Sequence, residues 1–451
     1  MDTTPFAQRR ARLLARMHEV GGGIAVLPTA TEKLRNRDTP YPYRSDSYFH
    51  YLTGFGEPEA VLVLIAGPDD SKSILFCRDK DPDKEIWDGF RHGPEGARET
   101  FGFDEAHSIG ELDEKLPELI ANQATLWHSI GFEVDWDTHI GKALTTVRGQ
   151  SRLGKRPPPI IHDLRAALDE MRLIKDEHEI ALMREASNIA AAGHRRAMRA
   201  AAPGRWEYEI EAEFLHEFRR RGSQFPAYTP IVASGPGACI LHYVANDRQM
   251  QDGELLLIDA GCELHGYASD ITRTFPVNGR FSGSQRDVYE LVEAAQRAAI
   301  DAVEPGADFT TPHEVAVKVL AQGMADLKLL EGSVDGIIES AAYKRFFMHR
   351  TSHWLGMDVH DAGEYKIADR GGNPGGDPAA DRWRPLSAGM VLTVEPGCYI
   401  RPAEDVPEAF WNIGIRIEDD VLVTPAGNEI LTADAPRSIA DIEALMQGDK
   451  T

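Results

Sequence analysis

The sequence predicts an α/β (α+β) protein of two domains, the first of them with a mixed sheet. Its 451 residues are enough for two to four domains of ordinary size. Apolar runs of strand length alternate with amphipathic helical segments along the whole chain. A basic, proline-rich stretch at Arg152–Pro159 has the composition of a linker or an exposed turn. The predicted domains are therefore residues 1–165 and 166–451.

The N-terminal domain begins with a helix predicted over Gln8–Met17. Two short apolar runs bounded by glycine and proline, Gly23–Leu27 and Ala60–Ile65, predict strands. Asp104–Leu119 alternates polar and apolar residues at helical spacing and predicts one helix, and Ala124–Ile130 predicts another strand. This alternation of helices and strands is typical of an α/β domain.

The C-terminal domain is predicted to open with a long helix. Asp176 and Glu179 have the spacing of a capping box, and apolar residues then recur at helical spacing from Ile180 onward. Further amphipathic helices are predicted over Glu207–Arg220 and Ser284–Val303. Apolar strands are interleaved with these helices, at Glu254–Ile258, Ile271–Val277, Met390–Val394 and Gly414–Val423.

Composition excludes several classes of partner and compartment. The chain has 72 acidic and 49 basic residues, a net charge of −23, whereas nucleic acids and anionic membrane surfaces recruit basic segments. We therefore expect neither a nucleic-acid nor a membrane partner. The four cysteines lack disulfide or zinc-site spacing, the N-terminus lacks a secretory signal, and no apolar run reaches membrane-span length. These features predict a cytoplasmic protein.

Four carboxylates stand at the ends of predicted apolar strands. Asp259 directly follows one strand, and Asp270 heads the next after a connection of hairpin length. Glu395 and Glu418 follow two further strands, and strand alternation places Arg416 on the same face as Glu418. Singly, each is most often a turn or surface charge. Together, they would repel one another where partly buried, and two divalent cations would balance them, with oxygen ligands favouring Mn²⁺, Mg²⁺ or Co²⁺.

Histidines occur in segments that also frame the acids. His349, His353 and His360 lie within one short stretch, and His242 lies in another. One histidine in apolar surroundings is usually a core residue, but four in this arrangement indicate a metal or catalytic site. A zinc-protease helix is excluded, because Arg350 occupies the position of the glutamate that should follow the first histidine.

The ordered pattern of these acids and histidines resembles the dinuclear pita-bread metallopeptidases, and among them aminopeptidase P (Xaa-Pro aminopeptidase). In the C-terminal half, five segments carry the resemblance: Leu257–Cys262, Tyr267–Val277, Ser352–Asp361, Thr393–Gly397 and Gly414–Asp420. In the N-terminal half, it is carried by Tyr41–Phe49, Leu52–Leu62 and Glu85–Trp87. The resemblance implies an N-terminal creatinase-like α/β domain and a C-terminal pita-bread domain (creatinase/aminopeptidase fold).

The same resemblance implies a metal-dependent aminopeptidase that releases the N-terminal residue from peptides with proline second. The implied chemistry is attack by a metal-bridging hydroxide. It also implies two divalent ions, most commonly Mn²⁺ with Co²⁺ and Zn²⁺ as alternatives, held by Asp259, Asp270, His353, Glu395 and Glu418. Of these ligands, Asp270 and Glu418 would bridge the ions, and Glu395 would also be the general base.

Further site residues are implied in the same way. His242 and His360 would act near the scissile carbonyl. His349, Tyr399 and Arg416 would surround the proline pocket. Two residues of the N-terminal domain would reach a site across a subunit contact in a homodimer or homotetramer, Trp87 and Arg152.

Two features depart from the family pattern. Arg350 stands where relatives usually have a small residue, and Gly371–Pro378 is an irregular insertion that would lie at the rim of the site. A bulky cation beside the proline pocket could reduce activity, alter substrate preference or point outward without effect, and the insertion could reshape the rim. Both features bear on substrate detail and not on the metal ligands. Two alternatives stay open: a prolidase, with the same chemistry restricted to Xaa-Pro dipeptides, and a non-catalytic pita-bread binding protein.

Overall fold

The computed structural model describes residues 2–68, 70–368 and 380–448. The chain forms two compact units that divide between Met171 and Arg172. The domain boundary predicted after residue 165 falls within the helix Leu164–Leu173 and stays a prediction. The predicted insertion Gly371–Pro378 lies outside the described residues.

The first unit is built on a six-stranded mixed sheet, in the order β4-β3-β2-β1-β5-β6. Its strands are β1 (Gly23–Pro28), β2 (Val61–Ala66), β3 (Ser71–Cys77), β4 (Glu105–Ser108), β5 (Thr125–Trp127) and β6 (Ile160–His162). Strands β1, β2 and β3 pair antiparallel, and the outer pairs are parallel. The helices are α1 (Thr4–Glu19), α2 (Ser47–Thr53), α3 (Pro82–Asp88), α4 (Gly93–Phe101), α5 (Leu112–Ile120), α6 (Val134–Gly149) and α7 (Leu164–Leu173).

The central strands of this sheet are apolar on both faces, as expected when helices cover a sheet. Ile24 and Val63 are fully buried, and they share one core with Leu116 of α5 and Ile140 of α6. The α/β class predicted for this half of the chain is confirmed.

The helix predicted over Asp104–Leu119 is wrong in its first half. The Asp104 carboxylate accepts hydrogen bonds from the backbone N–H and the hydroxyl of Ser73, both at 2.7 Å. These bonds hold the chain beside β3, where it forms the strand β4 instead of a helix. The helix begins only at Leu112, after this pairing has ended.

The second unit combines helices with small antiparallel sheets. Its helices are α8 (Glu177–Ala200), α9 (Glu207–Arg220), α10 (Gly283–Asp301), α11 (Thr311–Asp326), α12 (Val334–Glu339) and α13 (Ile439–Gln447). Its strands are β7 (Phe225–Pro226), β8 (Ile231–Ser234), β9 (Leu255–Asp259), β10 (Cys262–Leu264), β11 (Tyr267–Ala268), β12 (Thr272–Pro276), β13 (Lys366–Ile367), β14 (Arg382–Trp383), β15 (Val391–Val394), β16 (Gly397–Ile400), β17 (Ile413–Arg416), β18 (Asp419–Thr424) and β19 (Gly427–Ile430).

The capping box predicted at the start of the C-terminal half is confirmed. The Asp176 carboxylate accepts from the Glu179 backbone N–H at 2.9 Å, and the Glu179 carboxylate accepts from the Asp176 backbone N–H at 2.9 Å. This capping box starts α8 by satisfying donors that a helix N-terminus leaves free. Within the described ranges, none of the helices has the length and apolar character needed to cross a membrane.

The strands β9 and β12 pair antiparallel, with Asp259 opposite Thr272. The connection between them makes an unusually close backbone approach at Gly261. A Cβ atom at this position would lie 1.7 Å from the carbonyl oxygen of Ser269, so no other residue fits without moving the chain. The approach closes the connection and brings Asp259 and Asp270 to the same place.

The strand predicted over Gly414–Val423 is two strands, β17 and β18. The chain leaves the ladder at Glu418, whose backbone N–H donates to the Thr272 carbonyl at 3.0 Å. Arg273 also donates to the Glu418 carbonyl at 2.6 Å. These bonds fasten the break to β12 and turn the Glu418 side chain toward the end of β9.

Candidate metal centre

Carboxylate oxygens and an imidazole nitrogen lie close together at the break between β17 and β18. One atom each of Asp270, His353 and Glu418 lie within 4.8 Å of one another, the arrangement of a metal site. Asp270 and Glu418 are buried, and His353 is partly buried. Carboxylates and an imidazole nitrogen are ligands that Mn²⁺, Co²⁺ and Zn²⁺ all accept.

Asp259 joins this cluster through Tyr228 and is also held by Arg416. The Tyr228 hydroxyl lies within hydrogen-bonding distance of the carboxylates of both Asp259 and Asp270, the latter at 2.5 Å. Arg416 donates from Nη2 to Asp259 at 2.6 Å. The two aspartates predicted from strand ends are therefore neighbours, as their connection implied.

His353 presents one nitrogen to the carboxylates. Its Nδ1 donates to the backbone carbonyl of Trp354 at 2.9 Å. Its Nε2 faces Asp270 at 3.5 Å and Glu395 at 3.7 Å. A hydrogen bond from one ring nitrogen to a carbonyl fixes the orientation of the other, which is how histidine ligands are commonly held.

The protonation of this cluster shows that it lacks sufficient positive charge of its own. Burial, with the charges of neighbouring carboxylates, raises the pKa of Glu395 to about 7 and that of Glu418 well above its usual range. Burial also raises the pKa of Asp270. Burial works against the charged form of His353, but its contacts with Asp270 and Glu395 raise its pKa to about 9. A divalent cation would replace these protons, so the residues fit a metal.

Glu395 differs from the other three carboxylates in its contacts. Asp259 and Asp270 share the Tyr228 hydroxyl, and Thr272 donates to Glu418 at 2.6 Å. Among the described residues, no hydrogen bond to the Glu395 side chain is found. Its two oxygens instead face histidine nitrogens at 3.7 Å. Glu395 is thus the carboxylate with oxygens free to accept a proton.

A directed chain of hydrogen bonds runs beside the cluster. Arg416 donates from Nη1 to the Tyr399 hydroxyl at 3.1 Å, and that hydroxyl lies 2.8 Å from Nε2 of His349. His349 donates in turn from Nδ1 to the Arg350 carbonyl at 2.7 Å. Because Nδ1 carries the proton, Nε2 accepts from Tyr399. Burial and the charge of Arg416 lower the pKa of His349 to about 4, so the ring is neutral.

Aromatic rings surround His349. The Phe347 ring lies edge-on to it at 4.9 Å between centroids, and the Tyr399 ring lies at 5.6 Å. Tyr399 and Phe347 are fully buried, whereas His349 is only partly buried. The neutral imidazole therefore forms an exposed face of an otherwise buried aromatic wall.

His360 and His242 lie beside this site at the surface. The His360 ring is 4.2 Å from the His353 ring, and both His360 and His242 are exposed. The charge of His242 contributes to lowering the pKa of His349 and of His360. Distances thus place His349 and His353 beside the carboxylates and His360 beside His353.

The two residues assigned from the N-terminal half are in the first unit. Trp87 is 87% exposed near the end of α3. Arg152 is exposed in the short 3₁₀ turn Ser151–Leu153. Their proposed contribution across a subunit contact stays a prediction.

Sequence reasoning missed two residues that hold the carboxylates. Thr272 could have been found, because it lies two residues after Asp270 and so shares its strand face. Its hydroxyl accepts from Arg416 at 3.1 Å and donates to Glu418. Tyr228 follows a two-residue strand and lies far from the acids in sequence, so no local pattern signals it.

Comparisons with known proteins identify the family of this chain. Residues 181–425 match the model of metallopeptidase family M24, and residues 6–127 match that of the aminopeptidase P N-terminal domain. The chain is 46% identical to a Xaa-Pro aminopeptidase of Haemophilus influenzae, over 98% of this chain and 96% of the relative. It is 44% identical to that of Escherichia coli, over 98% and 97%.

Solved structures give the same result. The structure of Pseudomonas aeruginosa aminopeptidase PepP has a TM-score of 0.94 and 47% identity, covering 99% of this chain and 98% of that one. A variant of Escherichia coli aminopeptidase P in complex with substrate has a TM-score of 0.93 and 43% identity, with the same coverage.

The fold and the site thus define a metallopeptidase with two units, an N-terminal α/β unit and a C-terminal pita-bread unit. The chain belongs to metallopeptidase family M24, in its aminopeptidase P group. The resemblance, the fold class and the enzyme class predicted from the sequence are confirmed. The alternative of a non-catalytic binding protein is not supported.

Proposed function

We propose that this protein is a metal-dependent aminopeptidase that releases the N-terminal residue from peptides with proline in second position. The observation that carries the proposal is the cluster of Asp270, His353 and Glu418 in a chain 46% identical to a Xaa-Pro aminopeptidase over nearly its whole length. The aminopeptidase P relatives favour this activity over the prolidase alternative.

The metal ligands in this proposal are Asp259, Asp270, His353, Glu395 and Glu418. They would hold two divalent ions, since four carboxylates offer the charge that two dications need. When bound, the ions supply Lewis-acid activation of a water molecule and of the scissile carbonyl. Tyr228, Thr272 and Arg416 orient the carboxylates through the hydrogen bonds described above.

Glu395 moves the proton in this mechanism. Its oxygens receive no hydrogen bond from the described residues, so it can take a proton from the attacking water. It then delivers that proton to the proline nitrogen, which must be protonated to leave as a secondary amine. His242 and His360 stand beside the carboxylates at the surface, where they donate to the peptide carbonyl or shuttle the proton.

The second residue of the substrate would lie against His349. The ring of proline is apolar and lacks an amide donor, and the neutral imidazole with its aromatic neighbours offers an apolar face. The chain from Arg416 through Tyr399 keeps His349 neutral and fixed. Trp87 and Arg152 complete the proposal as residues that a second copy supplies.

Narrower features of the proposal are Mn²⁺ as the native metal, a homodimer or homotetramer, and a cytoplasmic location. Mn²⁺ is supported by the predominance of oxygen ligands in the cluster. Metal analysis of protein purified without added metal, sedimentation velocity and cell fractionation would test the three features in turn.

A peptide panel tests the activity itself. The metal-free protein is reloaded with Mn²⁺ and given the tripeptide Arg-Pro-Pro, the dipeptide Gly-Pro and a peptide with alanine second. We expect release of the first residue from the tripeptide, and none from the alanine peptide. Selective cleavage of the dipeptide would instead identify a prolidase, and absence of any cleavage would contradict the proposal.

A further inference from the structure

Arg350 carries a positive charge that the described residues do not neutralise. Its side chain is exposed, and its guanidinium carbon lies 5.2 Å from the centre of the Trp383 ring. It makes no ion pair within the described ranges. A cation–π contact fixes the position of a guanidinium but uses none of its N–H donors in the ring plane. Arg350 is thus held in place with its donors available.

Two lysines lie near the same place. The Lys366 ammonium lies 4.9 Å from the centre of the Trp383 ring. Lys344 and Arg350 both contribute to lowering the pKa of His313, whose Nδ1 lies 2.8 Å from the Thr351 hydroxyl. No carboxylate partner for either lysine is found in the described part of the chain. We call Lys344, Arg350 and Lys366 the basic rim.

The basic rim is attached directly to the proposed proline site. The Arg350 carbonyl accepts from His349 at 2.7 Å, and the next residue, Thr351, accepts from the Glu395 backbone N–H at 2.8 Å. Arg350 therefore lies between one residue of the aromatic wall and one that supports the proposed general base.

The positive charge of the basic rim contrasts with the negative net charge of the molecule. The chain has a net charge of −23, and the cluster beside Arg350 is itself rich in carboxylates. Cations that have no acidic partner among the described residues attract, in such surroundings, an anion that arrives with the substrate. A guanidinium binds a carboxylate through two parallel N–H donors, which an ammonium cannot do.

We propose that Arg350 is a specificity-determining residue that binds an anionic group of the substrate, one or two residues beyond the proline. The inference rests on the proposed function. The anion is a carboxylate, which can be the C-terminus of a short peptide or the side chain of an acidic residue. Lys344 and Lys366 strengthen the local field without the paired contact.

Matched peptides test the inference. Ala-Pro-Ala with a free C-terminus is compared with its amide, and Ala-Pro-Asp amide with Ala-Pro-Asn amide, for the Mn²⁺-loaded protein. We expect kcat/KM about five-fold higher for the charged member of at least one pair, mainly through a lower KM, as for a half-exposed charge pair. The pair that shows the preference identifies the source of the carboxylate. The preference should shrink as ionic strength rises.

Variants connect the preference to one side chain. Arg350→Gln should bring the ratio close to one, and Arg350→Lys should keep part of it. Arg199→Gln removes the same charge from an exposed position on α8 and should leave the ratio unchanged. Equal kcat/KM within both pairs for the wild type, or a ratio that survives in Arg350→Gln, would overturn the inference. If none of these peptides is cleaved, the proposed function itself fails.

Discussion

The pKa of buried carboxylates in the second unit shifts in opposite directions at two places, at Asp361 and at the metal centre. Asp361 is fully buried, and it accepts from Arg172 at 2.6 Å and from Lys175 at 2.9 Å. Burial alone would raise its pKa, but these two charges lower it. At the metal centre, burial and neighbouring carboxylates raise the pKa of Asp270 and of Glu418.

The difference teaches what each group is for. The charge of Asp361 is balanced by residues of the same chain, so its role is to hold that part of the fold together. The carboxylates of the metal centre are short of such partners, which destabilises the fold unless a cation binds. Both kinds of carboxylate are buried. What distinguishes a ligand cluster from a structural ion pair is that its negative charge is not balanced by cations of the same chain.

The largest expected effect comes from Glu395, the carboxylate that accepts no hydrogen bond from the residues that the structure describes. Glu395→Ala should lower kcat by about 10²–10⁴-fold, the usual contribution of a positioned general base. Steady-state kinetics on an Xaa-Pro tripeptide measure it. Glu404→Ala, an exposed glutamate in the same unit, is the matched control. Near-full kcat in Glu395→Ala would remove Glu395 from the catalytic role.

The second prediction is that replacing Asp by Asn changes the free energy of unfolding in opposite directions at Asp361 and at the metal centre. Without metal at pH 7, Asp361→Asn should lower the free energy of unfolding by roughly 3–5 kcal/mol, because it removes the buried carboxylate that pairs with both Arg172 and Lys175. Asp270→Asn should raise it by about 1 kcal/mol, because it removes a charge from a repulsive cluster. Urea denaturation measures both. The comparison breaks down if the two variants shift stability in the same direction.

The third prediction concerns metal removal. At a free Mn²⁺ concentration about 100 times Kd, binding should stabilise the wild-type fold by about 2.7 kcal/mol, and chelation should abolish this increment. Asp361→Asn should keep the increment, whereas Asp270→Asn should lose most of it. Thermal denaturation with and without Mn²⁺, together with elemental analysis, checks this. An Asp270→Asn protein that still carries two ions would contradict its assignment as a ligand.

The smallest expected effect applies the same comparison to a histidine. His194 is fully buried, donates to the Ala260 carbonyl at 3.0 Å, and has no partner for Nδ1 among the described residues. Burial lowers its pKa to about 3, so the folded protein keeps it neutral.

Because the unfolded chain binds this proton near pH 6.5, stability should fall as the pH drops below that value. The loss attributable to His194 should be about 2 kcal/mol between pH 7 and pH 5. Urea denaturation at both pH values would show a smaller loss in His194→Gln than in the wild type. The exposed His216→Gln should behave like the wild type; an unchanged loss in His194→Gln would show that another group titrates.

Much of the site could be predicted because its ligands follow a local rule. Asp259, Asp270 and Glu395 each stand at the end of an apolar strand, and Arg416 and Glu418 both contact the hydroxyl of Thr272. The fold class followed in the same way from the alternation of helices and strands. These patterns are short in sequence, so one chain is enough to read them.

What could not be predicted depends on contacts between distant segments. The hydroxyl of Tyr228 reaches two aspartates from a segment with no periodic signal, and the carboxylate of Asp104 turns an apparently helical segment into an edge strand. The break at Glu418 likewise requires the backbone of Thr272. In each case a hydrogen bond from elsewhere in the fold overrides local preference, and no propensity scale contains that information.

The close approach at Gly261 has a consequence for protein design. The spacing of Asp259 and Asp270 is set by backbone touching backbone, and the connection that sets it lies within one short stretch of chain. Such a stretch is a compact two-carboxylate module, whose side chains Tyr228 and Arg416 then orient. It could be transplanted onto another antiparallel strand pair to start a metal site, provided that the glycine travels with it.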